Sequence, residues 1–182
     1  REKEEYCDYV ESWIHEMKTP LTACSLILDN GGDLRKLRRE LKRADNLTES
    51  ILYYARLRTA EKDVKIRSFS ASDVIGEAVK SQMELLTGAG ISVEAEGDFS
   101  VYSDRKSVCF MLKQLLINCA KYCPGCQISI QARDGAILVR DNGPGIPAHE
   151  LRRVTERGFT GSCARTKAPG SAASGGTGMG LY

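Results

Sequence analysis

The sequence predicts a multidomain chain: an all-α helical hairpin over residues 1–62, followed by a mixed α/β domain over residues 63–182. Apolar residues recur three and four apart through the first third of the chain, then give way after Val64 to short runs bounded by turn residues. The total of 182 residues suffices for one sizeable domain with a helical appendage. The tail from Gly143 to Gly180 is dense in Gly, Ser, Ala and Thr, which suits a mobile loop better than a core.

The first helix is read from Cys7 to Leu28, where Val10, Ile14, Met17, Leu21, Cys24 and Leu28 form the seam of a packed helix. The pattern stops at "DNGGD", in which Asn30, Gly31 and Gly32 turn the chain. A second helix follows from about Leu34 to Lys62, its apolar face marked by Leu34, Leu37, Leu41, Ala44, Leu47, Ile51, Tyr54 and Leu57. A hairpin of two such helices cannot enclose a core alone. The expectation is a two-fold homodimer that closes a four-helix bundle.

A domain boundary is expected between residues 62 and 69. Beyond it, "SFSASDVIGEAVKSQMELLTGAG" carries a capping Ser or Asp, a helix and a Gly-rich stop. Short strands are read in "ISVEAE" and "FSVYS", then a helix from Asp104 to Tyr122. "QISIQA" and "AILVRD" form a hairpin joined at Asp134-Gly135.

Composition narrows the function. With 26 Lys and Arg against 24 Asp and Glu, the net charge of +2 gives no general pull toward nucleic acid. No apolar run has the length of a membrane helix, and "REKEE" is no signal peptide, so the piece reads as soluble. Seven cysteines, scattered through helices, read as free thiols of a reducing compartment and favour the cytoplasm. "CPGC", Cys123 to Cys126, has redox or zinc-hook spacing but no second Cys pair or nearby His, so a plain turn is the simpler reading.

Four stretches carry candidate chemistry. "WIHEMKTPL" places a proline, Pro20, inside the first helix, where it deletes the N–H that would bond the carbonyl of Glu16, at a cost of ~3 kcal/mol. On that helix His15 lies about 140° and Thr19 about 180° from the apolar stripe, so both face outward with Glu16 adjacent. "LLINCAKY" puts Asn118 and Tyr122 on one face of the later helix: an amide oxygen suits Mg²⁺, and Lys121 suits a phosphate. In "RDNGPGIP", Asp141 ends a strand, where its carboxylate can accept from an exocyclic amine. Gly143 and Gly145 let backbone approach a flat ligand. "GGTGMGL" brings Gly176, Thr177, Gly178 and Gly180 together in a loop able to aim amide N–H groups at phosphates.

In this order the stretches resemble the sensor histidine kinases of two-component signalling over nearly the whole chain. "HEMKTPL" is similar to the phosphoacceptor box, "NCAKY" to the asparagine box and "DNGPGIP" to the first glycine box. "ERGFTG", with Phe159, is similar to the phenylalanine box, and "GTGMGL" to the second glycine box. "YVESWIHEMKTPL", "GFTG" and "GTGMGLY" are similar more narrowly to firmicute kinases with short membrane sensors that serve peptide-antibiotic response.

The resemblance implies a Bergerat-type ATP-binding α/β sandwich behind a dimeric phosphotransfer bundle. It implies that His15 accepts phosphate from ATP and passes it to an aspartate of a response regulator, with Glu16 as base and Thr19 positioning water for phosphatase activity. It further implies that Asn118 ligates Mg²⁺, Lys121 contacts phosphate, Tyr122 packs near the base and Asp141 reads the adenine amine. Pro20 loosens the helix beside His15. Poor in large apolar residues, the segment from Thr160 to Gly175 is expected to be mobile without nucleotide and to close over ATP as a lid, with Arg165 and Lys167 either phosphate contacts or solvated charges of a linker. The resemblance also implies a cytoplasmic location, attached to a membrane through a segment outside this chain. Two departures stand out: Tyr182 falls at the start of the helix that follows the last glycine box, so the ATP domain is read as C-terminally truncated, and Thr155 stands where an aromatic is common.

Two rivals share parts of the pattern. A serine kinase of the anti-sigma type has the same ATP boxes, but "HEMKTPL" on a helical hairpin argues against it. A pseudokinase scaffold keeps the dimer without the chemistry.

Overall fold

The computed structural model describes residues 2–58, 64–156 and 159. The chain divides into two compact units, one built on the helical segment up to Asp63 and the other running on from Val64.

The first unit is a helical hairpin. Helix α1 spans Glu2–Asp29 and helix α2 spans Leu34–Arg58. The turn between them works as the sequence suggests: Gly31 and Gly32 adopt φ of +94° and +70°. The Gly32 N–H donates to the Ile27 carbonyl at 2.8 Å, which closes the end of α1. Asp33 then starts α2, its Oδ1 accepting from the N–H groups of Arg35 at 3.0 Å and Lys36 at 3.2 Å. Helix α1 runs on unbroken across Pro20.

The buried seam differs from the sequence expectation. Trp13, Pro20 and Cys24 are buried, with Met17 and Ile27 half-buried, whereas Ile14, Leu21 and Leu28 of the expected seam stand exposed. The reason is size: the Trp13 indole is the largest apolar group on α1, and the hairpin centres its contact there, a step of roughly 100° around the helix from Ile14. Leu34 and Leu41 of α2 are exposed as well.

The second unit is a mixed α/β layer structure. It contains β1 (Ile66–Ser70), α3 (Ala71–Gly88), β2 (Ser92–Gly97), β3 (Ser100–Asp104), α4 (Arg105–Tyr122), β4 (Gln127–Arg133) and β5 (Ala136–Asp141). Strands β1 and β3 pair antiparallel. A separate three-stranded sheet has the order β2-β4-β5, parallel between β2 and β4 and antiparallel between β4 and β5.

Strand β1 occupies the stretch expected to be a domain boundary, so the α/β unit begins before it. Its signal is weak because three of its five residues are exposed, which leaves no apolar alternation to read. Both long helices start on side-chain caps: Ser70 Oγ accepts from the Asp73 N–H, and Asp104 Oδ2 from the Ser107 N–H. The β4–β5 hairpin turns on Asp134 and Gly135, both at positive φ, as a two-residue primed turn requires.

Alternate residues of β4, Ile128, Ile130 and Ala132, bury completely against Val74 and Ala78 of α3 and Leu112 and Leu116 of α4. Each fully buried aliphatic side chain of this kind contributes roughly 1.5–3 kcal/mol. Between β3, α4 and β5 the unit leaves an apolar groove of about 320 Å³, lined by Val101, Val108, Met111, Leu115, Ile137 and Val139 among others.

Candidate nucleotide site and phosphoacceptor face

The α/β unit gathers its candidate residues at the C-terminal ends of α4 and β5. Helix α4 presents Asn118, Lys121 and Tyr122 in its last turns, all half-buried. The Lys121 Nζ lies 5.2 Å from the centre of the Tyr122 ring, within cation–π range. The Asn118 side chain forms no hydrogen bond to another described residue, so its amide oxygen is available as a hard ligand.

Asp141 ends β5 and is exposed. Its Oδ1 accepts from the Gly143 N–H at 2.9 Å and from the Cys123 thiol at 3.5 Å. Gly143 is needed for space rather than for a special backbone angle. A Cβ there would lie 2.5 Å from the Cys123 sulfur and 2.8 Å from Asp141 Oδ1. Gly145 adopts φ +70°, a left-handed conformation that glycine takes without strain.

Two neighbours went unassigned in the sequence reading. Asn142 ties the strand ends together: its Oδ1 accepts from the Gln127 N–H at 2.8 Å, and its own N–H donates to the Gln127 carbonyl at 3.3 Å. It holds Asp141 in place. Cys123 is the other. Burial, then the negative charge of Asp141, pushes its thiol up to about 12, and the same causes push Cys119 up to about 11. Only the "CPGC" spacing hinted at Cys123, and among the described residues no group of His, Cys, Asp and Glu is arranged to hold a metal ion.

After Gly145, successive turns carry the backbone on: the N–H groups of Glu150, Arg153 and Glu156 donate to the carbonyls of Pro147, Glu150 and Arg153. Phe159 is half-buried, with the Arg153 guanidinium 4.6 Å from its ring centre. Gly176, Thr177, Gly178, Gly180, Arg165, Lys167 and the expected lid from Thr160 to Gly175 lie outside the described residues.

On the hairpin, His15 and Thr19 are both exposed, one turn apart on α1, and Glu16 between them is half-buried. The Glu16 carbonyl faces Pro20, which has no N–H to give it.

Residues 103–182 match the family of histidine kinase-, DNA gyrase B- and HSP90-like ATPases. A sensor protein BceS of Halalkalibacterium halodurans is 33% identical over 183 residues, covering 96% of this chain and 53% of the relative. A sensor histidine kinase GraS of Staphylococcus haemolyticus is 31% identical over 179 residues, covering 93% of this chain and 50% of the relative. The chain thus carries a region of that ATPase family and, over nearly its whole length, is similar to sensor histidine kinases.

The chain spans about half the length of the curated relatives it matches. Solved kinases share its fold. The Acinetobacter baumannii histidine kinase AdeS matches with a TM-score of 0.55 at 20% identity, over 76% of this chain and 78% of that one. A histidine kinase ThkA, solved in complex with the response regulator protein TrrA, matches with a TM-score of 0.53 at 21% identity, over 84% of this chain and 50% of that one. Within the family match fall α4 with Asn118, the end of β5 with Asp141, and the glycine stretches that follow.

Proposed function

We propose that this chain is the kinase core of a two-component sensor, in which the α/β unit binds ATP and the hairpin carries the phosphoacceptor His15. One observation carries the reading. A single chain holds an exposed His15 with Thr19 one turn on, and separately an ATPase-family unit with Asn118, Asp141 and Gly143 grouped at one end.

ATP is the phosphoryl donor. Asp141 accepts from the exocyclic amine of adenine, with Gly143 and Gly145 giving the flat base room, and Tyr122 packs beside it. Lys121 meets a phosphate. Asn118 would hold Mg²⁺, which would supply charge neutralisation to the transferred phosphoryl group. The residues present fit that role, since an amide oxygen with no other partner among the described residues is a suitable hard donor. Phe159, Gly176, Thr177, Gly178 and Gly180 complete the nucleotide site.

A ring nitrogen of His15 forms a bond to the γ-phosphorus as the bond from that phosphorus to the bridging oxygen breaks, and ADP leaves. Glu16, adjacent in sequence, takes the proton from the other ring nitrogen. The nitrogen–phosphorus bond then breaks in turn as an aspartate of a receiver domain attacks. Thr19 positions water for the reverse, phosphatase task. Pro20 leaves the Glu16 carbonyl without a helix partner, which favours local adjustment beside His15 as it meets two different partners.

The exposed Ile14, Leu21, Leu28, Leu34 and Leu41 support a homodimer that completes a four-helix bundle. The α/β unit, with its two helices over a mixed sheet, is a Bergerat-type ATP domain. By likeness to the antibiotic-response kinases, the chain is the cytoplasmic part of a membrane-attached sensor. No helix among the described residues is long and apolar enough to cross a membrane.

The test is the product formed with Mg-ATP. Phosphohistidine is acid-labile and base-stable, whereas phosphoserine survives acid. The expected result is an acid-labile phosphate that disappears in His15→Gln while nucleotide binding is kept. Phosphate retained in that variant, or an acid-stable product, overturns the assignment.

A further inference from the structure

The turn that follows α4 carries two thiols that the nucleotide reading does not use. Pro124 and Gly125 form the middle of a four-residue turn closed by the Cys126 N–H, which donates to the Cys123 carbonyl at 3.2 Å. Gly125 adopts φ +80°, the left-handed position of a type II turn, and proline favours the position before it. A turn of this kind holds its end Cα atoms within about 7 Å, and disulfides span Cα separations of about 4.4–6.8 Å. The backbone thus already holds Cys123 and Cys126 at bridging range. Cys123 is half-exposed and Cys126 is buried.

Cys123 also touches the nucleotide end of the unit. Its thiol donates to Asp141 Oδ1, the oxygen that accepts from the Gly143 N–H. The sulfur fills the space that a side chain at position 143 would need. Sulfur, carboxylate and glycine turn share one set of contacts, so the sulfur cannot leave without disturbing the other two.

We propose that Cys123 and Cys126 are a thiol–disulfide site, closed by a peroxide and reopened by a small thiol, and that closure weakens nucleotide binding by withdrawing the sulfur from Asp141 and Gly143. The effect on binding rests on the adenine contact proposed for Asp141, but the disulfide does not.

The chemistry balances with hydrogen peroxide as oxidant. The Cys123 thiolate attacks one peroxide oxygen and the O–O bond breaks, giving a sulfenic acid and a hydroxide that takes up the thiol's proton as water. The Cys126 sulfur gives up its proton and attacks the sulfenic sulfur, and the S–O bond breaks to release a second water. Two thiols have lost two electrons and two protons, and one peroxide has become two waters. Two molecules of a monothiol reverse the bridge and leave as their own disulfide.

The raised Cys123 thiol sets the pace. With its proton held up to about 12, the attacking thiolate is scarce at neutral pH and its fraction rises about tenfold per pH unit. A thiol of high pKa is also a poor leaving group, so the closed bridge exchanges slowly. The site registers sustained oxidation rather than brief pulses.

Hydrogen peroxide treatment of the chain, followed by mass measurement and mapping of linked peptides, is the test. The expected result is the loss of two hydrogens with Cys123 joined to Cys126, reversed by dithiothreitol, and faster by about tenfold at pH 8 than at pH 7. Affinity for a non-hydrolysable ATP analogue should fall roughly tenfold on closure, the size of one lost charge-assisted hydrogen bond. In Cys123→Ala the affinity should not respond to peroxide. Absence of the bridge, a bridge to Cys119 instead, or a bridge that leaves affinity unchanged overturns the proposal. If the reduced chain binds no nucleotide, the reading of Asp141 falls and the coupling with it, and peptide mapping alone then decides the disulfide.

Discussion

The hairpin and the α/β unit treat their apolar residues in opposite ways. In the α/β unit Leu86, Leu116, Ile128 and Ile130 are each 1% exposed or less, because two helices and a sheet close over one another. In the hairpin Leu21, Leu28 and Leu34 are 50%, 59% and 70% exposed, because two helices can bury only one seam between them. The difference separates a unit that closes its own core from one that leaves large apolar side chains in the open, the face proposed to meet a second copy. It also separates the candidate chemistry: His15 is exposed on a helix face, whereas Asp141 and Asn118 lie near the ends of β5 and α4.

The comparison breaks most visibly if the exposed leucines are not an interface. Replacing Leu21 and Leu28 together by Lys places four charges in the bundle of a dimer, and losing the burial of four leucines costs about 6 kcal/mol or more. The chain should become monomeric in sedimentation at micromolar concentration, with the melting of the α/β unit unchanged. A dimer that survives the double substitution would mean that another surface joins the copies.

The next effect lies in the other unit. Ile130→Ala empties space in a closed core between β4 and the helices, at a cost of about 2–5 kcal/mol. Thermal unfolding followed by circular dichroism should show the α/β transition moving down while the hairpin keeps its helicity. A coincident fall of both transitions would show that the units fold as one.

What the sequence made legible follows the same division. Among the described residues of the α/β unit the helices, four of five strands and the Asp134-Gly135 hairpin were readable, because alternation and caps are local signals. Strand β1 was not, since its residues Ile66, Arg67 and Ser68 are exposed and its register is set by the distant β3. In the hairpin both helices and the turn were readable, but the seam was not. A count of apolar residues treats Ile14 and Trp13 alike, whereas packing favours the larger indole, so the buried stripe turned toward Trp13, Pro20 and Cys24. The outward placement of His15 and Thr19 was legible from helical geometry alone. The contact of Cys123 with Asp141 was hidden, because residues eighteen apart in sequence meet only when α4 and β5 are docked.

A smaller effect sharpens the division of labour. Asp141→Asn keeps the shape of the side chain but replaces a charged acceptor by a neutral amide. Affinity for an ATP analogue should drop roughly tenfold to a hundredfold, corresponding to ~1.5–3 kcal/mol. Dimerisation should not change, since the hairpin is a separate unit. Unaltered affinity would remove Asp141 from the adenine contact while leaving Asn118 to be tested by the Mg²⁺ dependence of binding.

The smallest expected effect is at a helix cap and depends on pH. Asp104 Oδ2 accepts from the Ser107 hydroxyl at 2.6 Å and from the Ser107 N–H at 3.0 Å, satisfying the start of α4. The Ser107 hydroxyl first, then the backbone N–H, holds the Asp104 carboxyl below its ordinary 3.8. Because the folded value lies below the unfolded one, the stabilisation is complete above about pH 5. It is lost as pH falls below 4 through the folded value. Asp104→Ala should therefore cost the α/β unit about 1 kcal/mol at neutral pH. The gap to the unsubstituted chain should narrow steadily under acid, as that chain loses the charged cap the variant already lacks. Urea midpoints at pH 7, 5 and 3 give the comparison. A gap that stays constant down to pH 3 would mean that the cap works through its neutral form, and that packing rather than charge holds the first turn of α4.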